Sequence, residues 1–420
     1  MPAAGVREER LSGGPPSSCP AGEARRPAVV FLTSAFPVRA DGGADAVLAR
    51  RARALAELTQ VAVVVPTPWA PRWLGGLVRR WRTYAETPRR LEVMGVEAFY
   101  PRYVQIPARW FVPFAPLAMA AGSLRRLRSL RRAGRLDVIY AQAVLPDGLA
   151  GALVGKCLGV PSVCLARGTD VNVMGRRTRI GRRLTRVTVR WSAGVVAVAH
   201  DLARTLQGIV GSPSLPPVIA NGIDLELFHP GDRRMARRAL DLSPDGHLLL
   251  FVGRLVPGKG LTELLDVFPA VLGRHPSAAL ALVGDGPLAP TLRRQAKALG
   301  IEGRVVFAGE RPHREIASWM QAASVFVLPS ESEGFPNVVR EALASGCPVV
   351  ATTVGDLPRV VTPSEGRLVS VGDRRALSEA LLDVLASRWD PRHLRNAVLK
   401  ASWERNADET LAVLRDFVGR

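Results

Sequence analysis

The chain has 420 residues, of which 47% are hydrophobic and 22% are charged. This composition is globular and can bury two cores of ordinary domain size, which excludes a fibrous or low-complexity protein. The 39 glycines and 33 prolines follow no period, and the four cysteines form neither a Cys-x-x-Cys pair nor a zinc-spaced cluster with histidine. This pattern argues against a disulfide framework and favours free thiols in a reducing compartment.

The net charge of +20 is unevenly distributed along the chain. Residues 1–220 hold 32 Lys+Arg against 13 Asp+Glu, whereas residues 221–420 hold 25 against 24. Such asymmetry predicts an acidic partner for the first half. The sequence pI near 11.2 favours nucleic acid, but no zinc finger, recognisable helix-turn-helix or RNA-recognition signature is present. We therefore expect no nucleic acid and favour an anionic membrane surface.

Residues 1–27 are rich in Gly, Pro, Ser and charge, and they lack the apolar run of a signal peptide. We expect a disordered extension there. No later stretch approaches the roughly 18 uninterrupted apolar residues of a membrane-spanning helix, so the expected protein is soluble or peripheral.

Short apolar runs alternate with helical patterns through residues 28–215, which we predict to be the first domain. The predicted strands are Val29–Thr33, Val61–Val65, Val138–Ala141, Ser162–Ala166 and Val195–Ala197. Between some of them lie helical patterns at Ala44–Leu58 and Pro146–Leu158. The segment Ser212–Pro217 breaks helix and limits strand pairing, so the domain boundary is placed there.

The same plan repeats in residues 216–393, the predicted second domain. Its strands are Leu248–Val252, Ala279–Val283, Val305–Ala308, Val325–Leu328 and Pro348–Ala351, and its helices include Leu261–Leu272, Pro287–Leu299 and Val338–Ser345. A last helical stretch, Leu394–Val418 within residues 394–420, is expected to brace the molecule and to pack back on the first domain.

Strand–helix–strand repeats without strict polar alternation indicate parallel sheets covered on both faces. The predicted fold is therefore α/β, with two Rossmann-like doubly wound domains facing a cleft. Ligands of such sheets bind at the carboxyl ends of the strands. The two glycine-bearing motifs described below, Val252–Gly260 and Pro329–Glu341, each begin at the end of a predicted strand.

Three segments combine arginine with apolar or aromatic residues: Ser123–Arg132, Arg176–Arg183 and Trp69–Trp81. The aromatic residues Trp110, Phe111 and Phe114 follow the segment Trp69–Trp81 later in the chain. Aromatic residues next to arginine suit an interfacial patch on anionic lipid. The alternative is a helix that packs its leucines inward and leaves a solvated basic face.

The segment Val252–Gly260 follows an apolar strand and precedes a helix, and it carries Gly253, Arg254 and Lys259. Glycines let backbone approach a ligand closely, and two cations can neutralise a diphosphate. Fixed cations would also lower the barrier to bond breaking as a departing diphosphate gains negative charge. The alternative is a basic surface loop.

The segment Pro329–Glu341 follows the strand Val325–Leu328 and opens a helix, whose N-terminus is a natural anion site. Glu333 lies in the loop and Glu341 lies eight positions later. These side chains can accept hydrogen bonds from sugar and ribose hydroxyls. The alternative is a helix-favouring Glu and an exposed Glu.

Together, these two segments resemble the family 4 retaining glycosyltransferases of the GT-B fold, over Ala28 to the C-terminus. The resemblance implies that Arg254 and Lys259 bind the donor diphosphate and that Glu333 and Glu341 form the E-x7-E motif. It assigns catalytic roles to Arg254, Lys259 and Glu333. The donor-binding residues implied are Gly42, Gly43, Gly253, Gly284, Arg311, Gly334, Phe335, Pro336, Asn337, Val338 and Glu341.

The first half resembles a subgroup that builds bacterial surface polysaccharides, through Asp137–Gln142, Leu145–Gly148 and Ala166–Asn172. One position departs from the family, because many members have His where this chain has Arg167. Arg167 and Asp170 are expected on the acceptor or sugar side. Arginine does not act as a base, since its pKa exceeds about 12. Either it binds a negatively charged donor or acceptor, or it holds Asp170 in a structural ion pair.

The resemblance implies transfer of a hexose-type sugar from a nucleotide sugar to a lipid-linked or polysaccharide acceptor, by front-face attack. No metal and no cofactor are expected, since no Asp-x-Asp motif is present. We expect the protein to be cytoplasmic and bound peripherally to the inner face of the plasma membrane. A nucleotide-sugar epimerase or hydrolase and a non-catalytic binding module remain as alternatives. Neither the base nor the sugar follows from the residues.

Overall fold

The computed structural model describes residues 26–37, 46–70, 79–106, 109–175 and 178–418. Several predictions fall outside these ranges. They are the extension 1–27 for all but its last two residues, the glycines Gly42 and Gly43, residues 71–78 of the segment Trp69–Trp81, and Arg176 and Arg177.

The described part of the first half contains the strands β1 (Val29–Leu32), β2 (Val61–Val64), β3 (Thr67–Pro68), β4 (Arg90–Val93), β5 (Val96–Phe99), β6 (Arg102–Tyr103), β7 (Val138–Ala141), β8 (Ser162–Ala166) and β9 (Gly194–Ala197). Seven of them form one sheet in the order β4-β5-β2-β1-β7-β8-β9, while β3 pairs with β6. All neighbours are parallel except β4 and β5.

Both faces of this sheet are covered, as its uninterrupted apolar strands predict. In β1, Val29 and Phe31 belong to one buried core, and the alternate residues Val30 and Leu32 belong to the core on the opposite face. The helices of this half are α1 (Ala46–Leu58), α2 (Arg79–Glu86), α3 (Ala115–Arg132), α4 (Leu149–Leu158), α5 (Arg179–Trp191) and α6 (His200–Val210).

The second half repeats the arrangement with β10 (Leu248–Val252), β11 (Ala279–Val283), β12 (Val305–Gly309), β13 (Val325–Leu328), β14 (Val349–Thr352) and β15 (Gly366–Val369). These strands form a parallel sheet in the order β12-β11-β10-β13-β14-β15. The helices are α7 (Arg233–Ala239), α8 (Leu261–Arg274), α9 (Ala289–Ala298), α10 (His313–Ala322), α11 (Asn337–Ala344), α12 (Arg374–Ala386) and α13 (Pro391–Asn396).

All ten predicted strands agree with the structure to within one residue at each end, and the doubly wound two-sheet fold is confirmed. In both sheets the strand order reverses beside the first strand, between β1 and β7 and between β10 and β13. Such a reversal opens a crevice at the carboxyl ends of the strands, where ligands bind. The ligand site is therefore expected at these two points.

The last helical stretch was predicted as one piece, Leu394–Val418, and this is wrong. Helix α13 ends at Asn396, and the final helix, α14, spans Trp403–Val418. Between them the backbone pairs with the segment that connects α6 and α7, because Ile223 N donates to Ala401 O at 2.7 Å. Helix α14 then packs its apolar face on the first domain, as expected. The domain limits at residues 215 and 393 stay predictions.

Candidate functional site

Two loops meet at the switch point of the second sheet. The loop after β10 carries Lys259, and the loop after β13 carries Glu333. Lys259 Nζ lies 2.7 Å from Glu333 Oε1, and the side chains are 25% and 12% exposed. An ammonium and a carboxylate thus sit together at the edge of the sheet where α/β folds bind ligands.

Gly260 makes this approach of the two loops possible. Its φ is +64°, and a Cβ at this position would lie 2.0 Å from the carbonyl oxygen of Pro329. Any side chain would therefore push the β13 loop away and strain the backbone. The glycine lets the two loops pack against each other. This packing sets the distance between Lys259 and Glu333.

The loops after β10, β11 and β12 lie side by side at the same edge. A Cβ on Gly284 would lie 2.0 Å from the carbonyl oxygen of Gly253, and Gly284 N donates to Gly309 O at 2.8 Å. Arg311 follows in the third loop, and its Nε donates to Ala308 O at 3.0 Å. Three of the predicted donor-binding positions are thus brought to neighbouring loops.

Arg254 lies in the first of these loops and is exposed. Among the described residues, no carboxylate lies within 4.0 Å of its guanidinium. Lys259, by contrast, is already paired with Glu333. The two cations predicted to act together therefore differ in their surroundings: Arg254 is exposed to solvent, and the charge of Lys259 is neutralised by Glu333.

Glu341 lies on α11 and is buried, with 8% of its surface exposed. Its Oε1 is 3.0 Å from His313 Nε2, and the His313 ring packs edge-on against Phe228 at 5.0 Å between centroids. Because a carboxylate only accepts, Nε2 carries the proton and donates. His313 was not among the predicted site residues. A single histidine does not show from the sequence that it will contact Glu341, which lies 28 positions later.

The N-terminus of α11 faces the first domain. A Cβ on Gly334 would lie 3.5 Å from the carbonyl oxygen of Arg167, and Asn221 Nδ2 donates to Asn337 Oδ1 at 3.2 Å. The ring of Phe335 packs against the first domain's core. Pro336 and Val338 flank Asn337 at the start of the helix. The predicted donor loop therefore also forms the contact between the domains.

Asp170 is buried at the end of β8 and is held by three backbone amides. Its carboxylate accepts from Val144 N at 2.7 Å, Gly168 N at 2.8 Å and Arg167 N at 3.1 Å. The structural ion pair with Arg167, one of two alternatives predicted for this residue, is wrong. Arg167 contributes its backbone N–H, and its exposed guanidinium lies more than 4.0 Å from the carboxylate.

Asp147 is a second buried carboxylate at this edge, and nothing in the sequence around it indicated a role. It accepts from Ser34 N at 3.1 Å, which ties the end of β1 to the turn after β7. Burial raises its pKa to about 6, against the hydrogen bond from Ser34 and the charge of Arg167, which lower it. Burial likewise raises the pKa of Asp170, opposed by its three amides.

Arg51 is a buried cation that the sequence did not reveal. It lies on α1, donates to Gln142 Oε1 at 3.3 Å and also donates to Asn221 Oδ1. Burial lowers its pKa to about 10. Since Asn221 continues to Asn337, this hydrogen-bonded chain links α1 of the first domain to α11 of the second.

Asp356 makes a further polar contact between the two domains. From the loop after β14 it accepts from His200 N at 2.6 Å, Asp201 N at 2.9 Å and His200 Nδ1 at 3.2 Å. A carboxylate of the second domain thus caps the N-terminus of α6 in the first. His200 lies at the start of α6, and this cap satisfies both its backbone N–H and its Nδ1.

In the described ranges, no group of three or more His, Cys, Asp or Glu side chains could hold a metal ion. Within the same ranges, no helix is both long enough and apolar enough to cross a bilayer.

Comparison with known proteins decides the family. Residues 246–387 match the family described as Glycosyl transferases group 1, and residues 41–227 match Glycosyltransferase Family 4. A D-inositol 3-phosphate glycosyltransferase of Frankia alni is 37% identical over 304 residues, which cover 68% of this chain and 74% of that one. The chain is a family 4 glycosyltransferase.

This glycosyltransferase is also 29% identical over 358 residues to the putative teichuronic acid biosynthesis glycosyltransferase TuaC of Bacillus subtilis, covering 84% of this chain and 88% of TuaC. Among solved structures, sucrose-phosphate synthase of Thermosynechococcus elongatus superposes with a TM-score of 0.72 at 22% identity, over 94% and 100% of the chains. Anabaena HepE in complex with UDP has a TM-score of 0.70 at 20% identity, over 92% and 99%. The glycosyltransferase therefore has the GT-B fold.

Proposed function

We propose that this glycosyltransferase moves a hexose-type sugar, with retention of configuration, from a nucleotide-diphosphate donor to a lipid-linked or growing polysaccharide acceptor. The reaction takes place at the cytoplasmic face of the plasma membrane and uses neither a metal nor another cofactor. The observation that carries the proposal is the pair Lys259–Glu333 at the switch point of the second sheet, opposite Arg167 of the first domain.

Two relatives support the nature of the substrates. Anabaena HepE has been solved with UDP and with UDP-glucose, which favours a nucleotide sugar as donor. TuaC is named for teichuronic acid biosynthesis, which favours a polysaccharide acceptor and the surface-polysaccharide subgroup.

The donor diphosphate binds between Arg254 and Lys259. As the glycosidic bond breaks, negative charge grows on the leaving phosphate, and the two fixed cations stabilise it. When the diphosphate binds, Lys259 leaves Glu333 and pairs with the phosphate. The Glu333 carboxylate is then free to accept a hydrogen bond from the sugar. The amides at the start of α11 add a partial positive charge on the same side.

The nucleoside end is held by Glu341, whose orientation His313 sets. The acceptor approaches from the first domain, where Arg167 is exposed at the mouth of the cleft and can bind a negatively charged group. The acceptor hydroxyl attacks from the face that the phosphate leaves, and this phosphate helps to take its proton. No enzyme carboxylate acts as a covalent nucleophile.

The donor is tested by thermal unfolding of the full chain with a panel of UDP-, GDP- and ADP-sugars. A donor in excess of its Kd raises the Tm, because it binds only the folded state. K259A should lose this shift and lower kcat/KM by about 10²–10³-fold. K297A, which removes an exposed lysine of the same domain, is the matched control and should behave as wild type.

The acceptor class is tested by product analysis with the stabilising donor. Transfer to an added lipid-linked or polysaccharide acceptor, with the donor stable in its absence, supports the proposal. Free sugar or an epimerised donor formed without acceptor would establish a hydrolase or an epimerase instead. Donor binding without turnover on any acceptor would establish a binding module.

A further inference from the structure

Two segments of the first domain contain many arginines and no acidic residue. Residues 98–136 hold eight arginines and residues 171–200 hold seven, and neither range contains an Asp or a Glu. In the structure they meet, because the 3₁₀ turn Arg109–Phe114 contacts α5 and leads into α3. The uneven charge of the chain is thus concentrated where these elements touch.

On α3 the simpler of the two sequence interpretations holds. Leu127 and Leu130 are buried in the core beneath the sheet, and the arginines of this helix face outward. This helix alone therefore gives no reason to invoke a lipid.

Around α5 the surface is different, because large apolar side chains are left exposed. Six of them have between 36% and 59% of their surface accessible: Val112, Phe114, Leu117, Val173, Met174 and Ile180. They belong to the turn before α3, the start of α3, the segment 170–175 and the first turn of α5, which adjoin one another. Grouped apolar exposure of this kind marks an interaction surface.

A groove of about 440 Å³ opens between α5 and α6. Arg182, Arg186 and Arg204 line it together with Thr205 and Gly208, and none of its described lining residues is acidic. Arg186 Nε donates to Ile209 O at 2.7 Å, which fixes one guanidinium at the wall. Arginine forks match the oxygen geometry of phosphate.

We propose that α5, the Arg109–Phe114 turn and the segment 170–175 form the membrane-docking surface of this enzyme, with the groove between α5 and α6 binding the phosphate of an anionic lipid headgroup. The exposed apolar side chains enter the interfacial region of the bilayer, and the arginines remain at the level of the phosphates. Exposed aliphatic side chains have no use in binding a nucleic-acid backbone, so the lipid fits this surface better.

The place of this surface beside the cleft indicates a role for it in bringing the acceptor to the enzyme. This role rests on the proposed function. The segment 170–175 begins at Asp170, three residues after Arg167, which faces Gly334 across the cleft. A bilayer seated against this segment therefore borders the acceptor side of the cleft. A lipid-linked acceptor would reach the donor sugar without leaving its membrane.

The experiment is flotation of the full chain with vesicles of phosphatidylcholine alone or of phosphatidylcholine with phosphatidylglycerol. The expected result is recovery with the anionic vesicles only. The double variant R182A/R204A should lower this recovery by about tenfold, and I180S should lower it as well. The double variant R388A/R392A removes two exposed arginines of the second domain and is the control for net charge.

Equal recovery with both kinds of vesicle would overturn the proposal, as would wild-type recovery of R182A/R204A. Binding to a single-stranded oligonucleotide with no recovery on anionic vesicles would assign the surface to nucleic acid and overturn it too. The Tm shift with the stabilising nucleotide is measured on the same samples. Its preservation in the variants shows an intact donor site, and its absence in the wild type would sink the proposed function independently.

Discussion

Four carboxylates near the cleft differ in their partners, and the partner sets what each can do. Glu333 faces an ammonium that a diphosphate can take away, so it is available for a ligand. Glu341 faces a histidine N–H, and Asp170 faces three backbone amides, which hold them in place. Asp147 has one amide partner and a raised pKa. The pair Glu333 and Glu341 is therefore suited to binding, and the pair Asp147 and Asp170 to structure.

His313 acts as a positioning residue for Glu341. We expect H313A to raise the KM for the donor by about tenfold while kcat changes little, because the buried carboxylate loses the donor that orients it. Steady-state kinetics with the nucleotide sugar identified by thermal unfolding measures this split.

The conservative variant H313N gives the control for this prediction. Its side-chain amide can still donate towards Glu341, so it should recover part of the affinity that H313A loses. A KM for H313A equal to that of wild type would show that Glu341 does not bind the donor or needs no orienting partner.

Asp147 makes stability depend on pH. Its pKa is near 6 in the folded protein and 3.8 ordinarily, so the folded state binds the proton more tightly. The stabilisation is complete below pH 3.8 and is lost as the pH rises through 6. D147N cannot titrate, so its free energy of unfolding relative to wild type should rise by about 2 kcal/mol between pH 4.5 and 7.5.

Urea unfolding at several pH values measures this difference. The slope with pH is the diagnostic quantity, because a constant offset between the two proteins would reflect packing of the new amide alone. Curves that stay parallel over this range would contradict the raised pKa.

At the scale of elements, strands with unbroken apolar runs were predictable, including the edge strands β9 and β12, whereas β4, β5 and β15, which are interrupted by charged residues, were not. Apolar runs such as Leu248–Val252 are buried on both faces and appear as unbroken stretches in the sequence. The hairpin of β4 and β5 alternates with charged residues, and its turn has positive φ at Met94 and Gly95 (52° and 81°). Strand β15 lies at the edge of the second sheet and is only partly apolar. Such strands are stabilised by their neighbours and show little pattern of their own.

Gly260 connects two elements, so its replacement should disturb both. G260A should lower the free energy of unfolding by about 2 kcal/mol, since φ is +64° and the added Cβ meets Pro329 O. It should also weaken donor binding by moving Lys259 relative to Glu333. Chemical denaturation and nucleotide-induced Tm shifts measure the two effects.

G273A on the same helix is the matched control. No atom of the described residues lies within 4 Å of a Cβ at that position, so alanine should stabilise the helix by about 0.5–1 kcal/mol. If G260A kept full stability and donor binding, the close approach of the two loops would not determine the site.

At the scale of the whole molecule, polar contacts hold the two domains face to face. Asp356 caps α6 across the cleft, and Asn221 connects Arg51 to Asn337. The segment between α6 and α7 and the segment before α14 lie side by side, because Ile223 and Ser402 form a parallel bridge. Polar contacts of this kind suit a cleft that opens and closes, because water can replace them at small cost in free energy.

Removing the cap at Asp356 should open the cleft. We expect D356A to lose about 1–2 kcal/mol of stability, since two amides of α6 lose their acceptor, and to increase the radius of gyration measured by X-ray scattering. D373A removes an intradomain cap, the hydrogen bond from Ala376 N at 2.9 Å, and should lose similar stability with no change in radius. An unchanged radius for D356A would show that other contacts set the closed arrangement.

The sequence by itself determined the positions of ten strands along the chain, the loops that follow them and the family, because these depend on local pattern and on motifs a few residues long. Only the tertiary structure decided that Lys259 pairs with Glu333, that Arg51 is buried and that Asp356 serves a helix of the other domain. Each of these contacts joins residues from distant parts of the chain, so its partner is chosen by the packing of the two sheets and has no signature in the neighbouring residues.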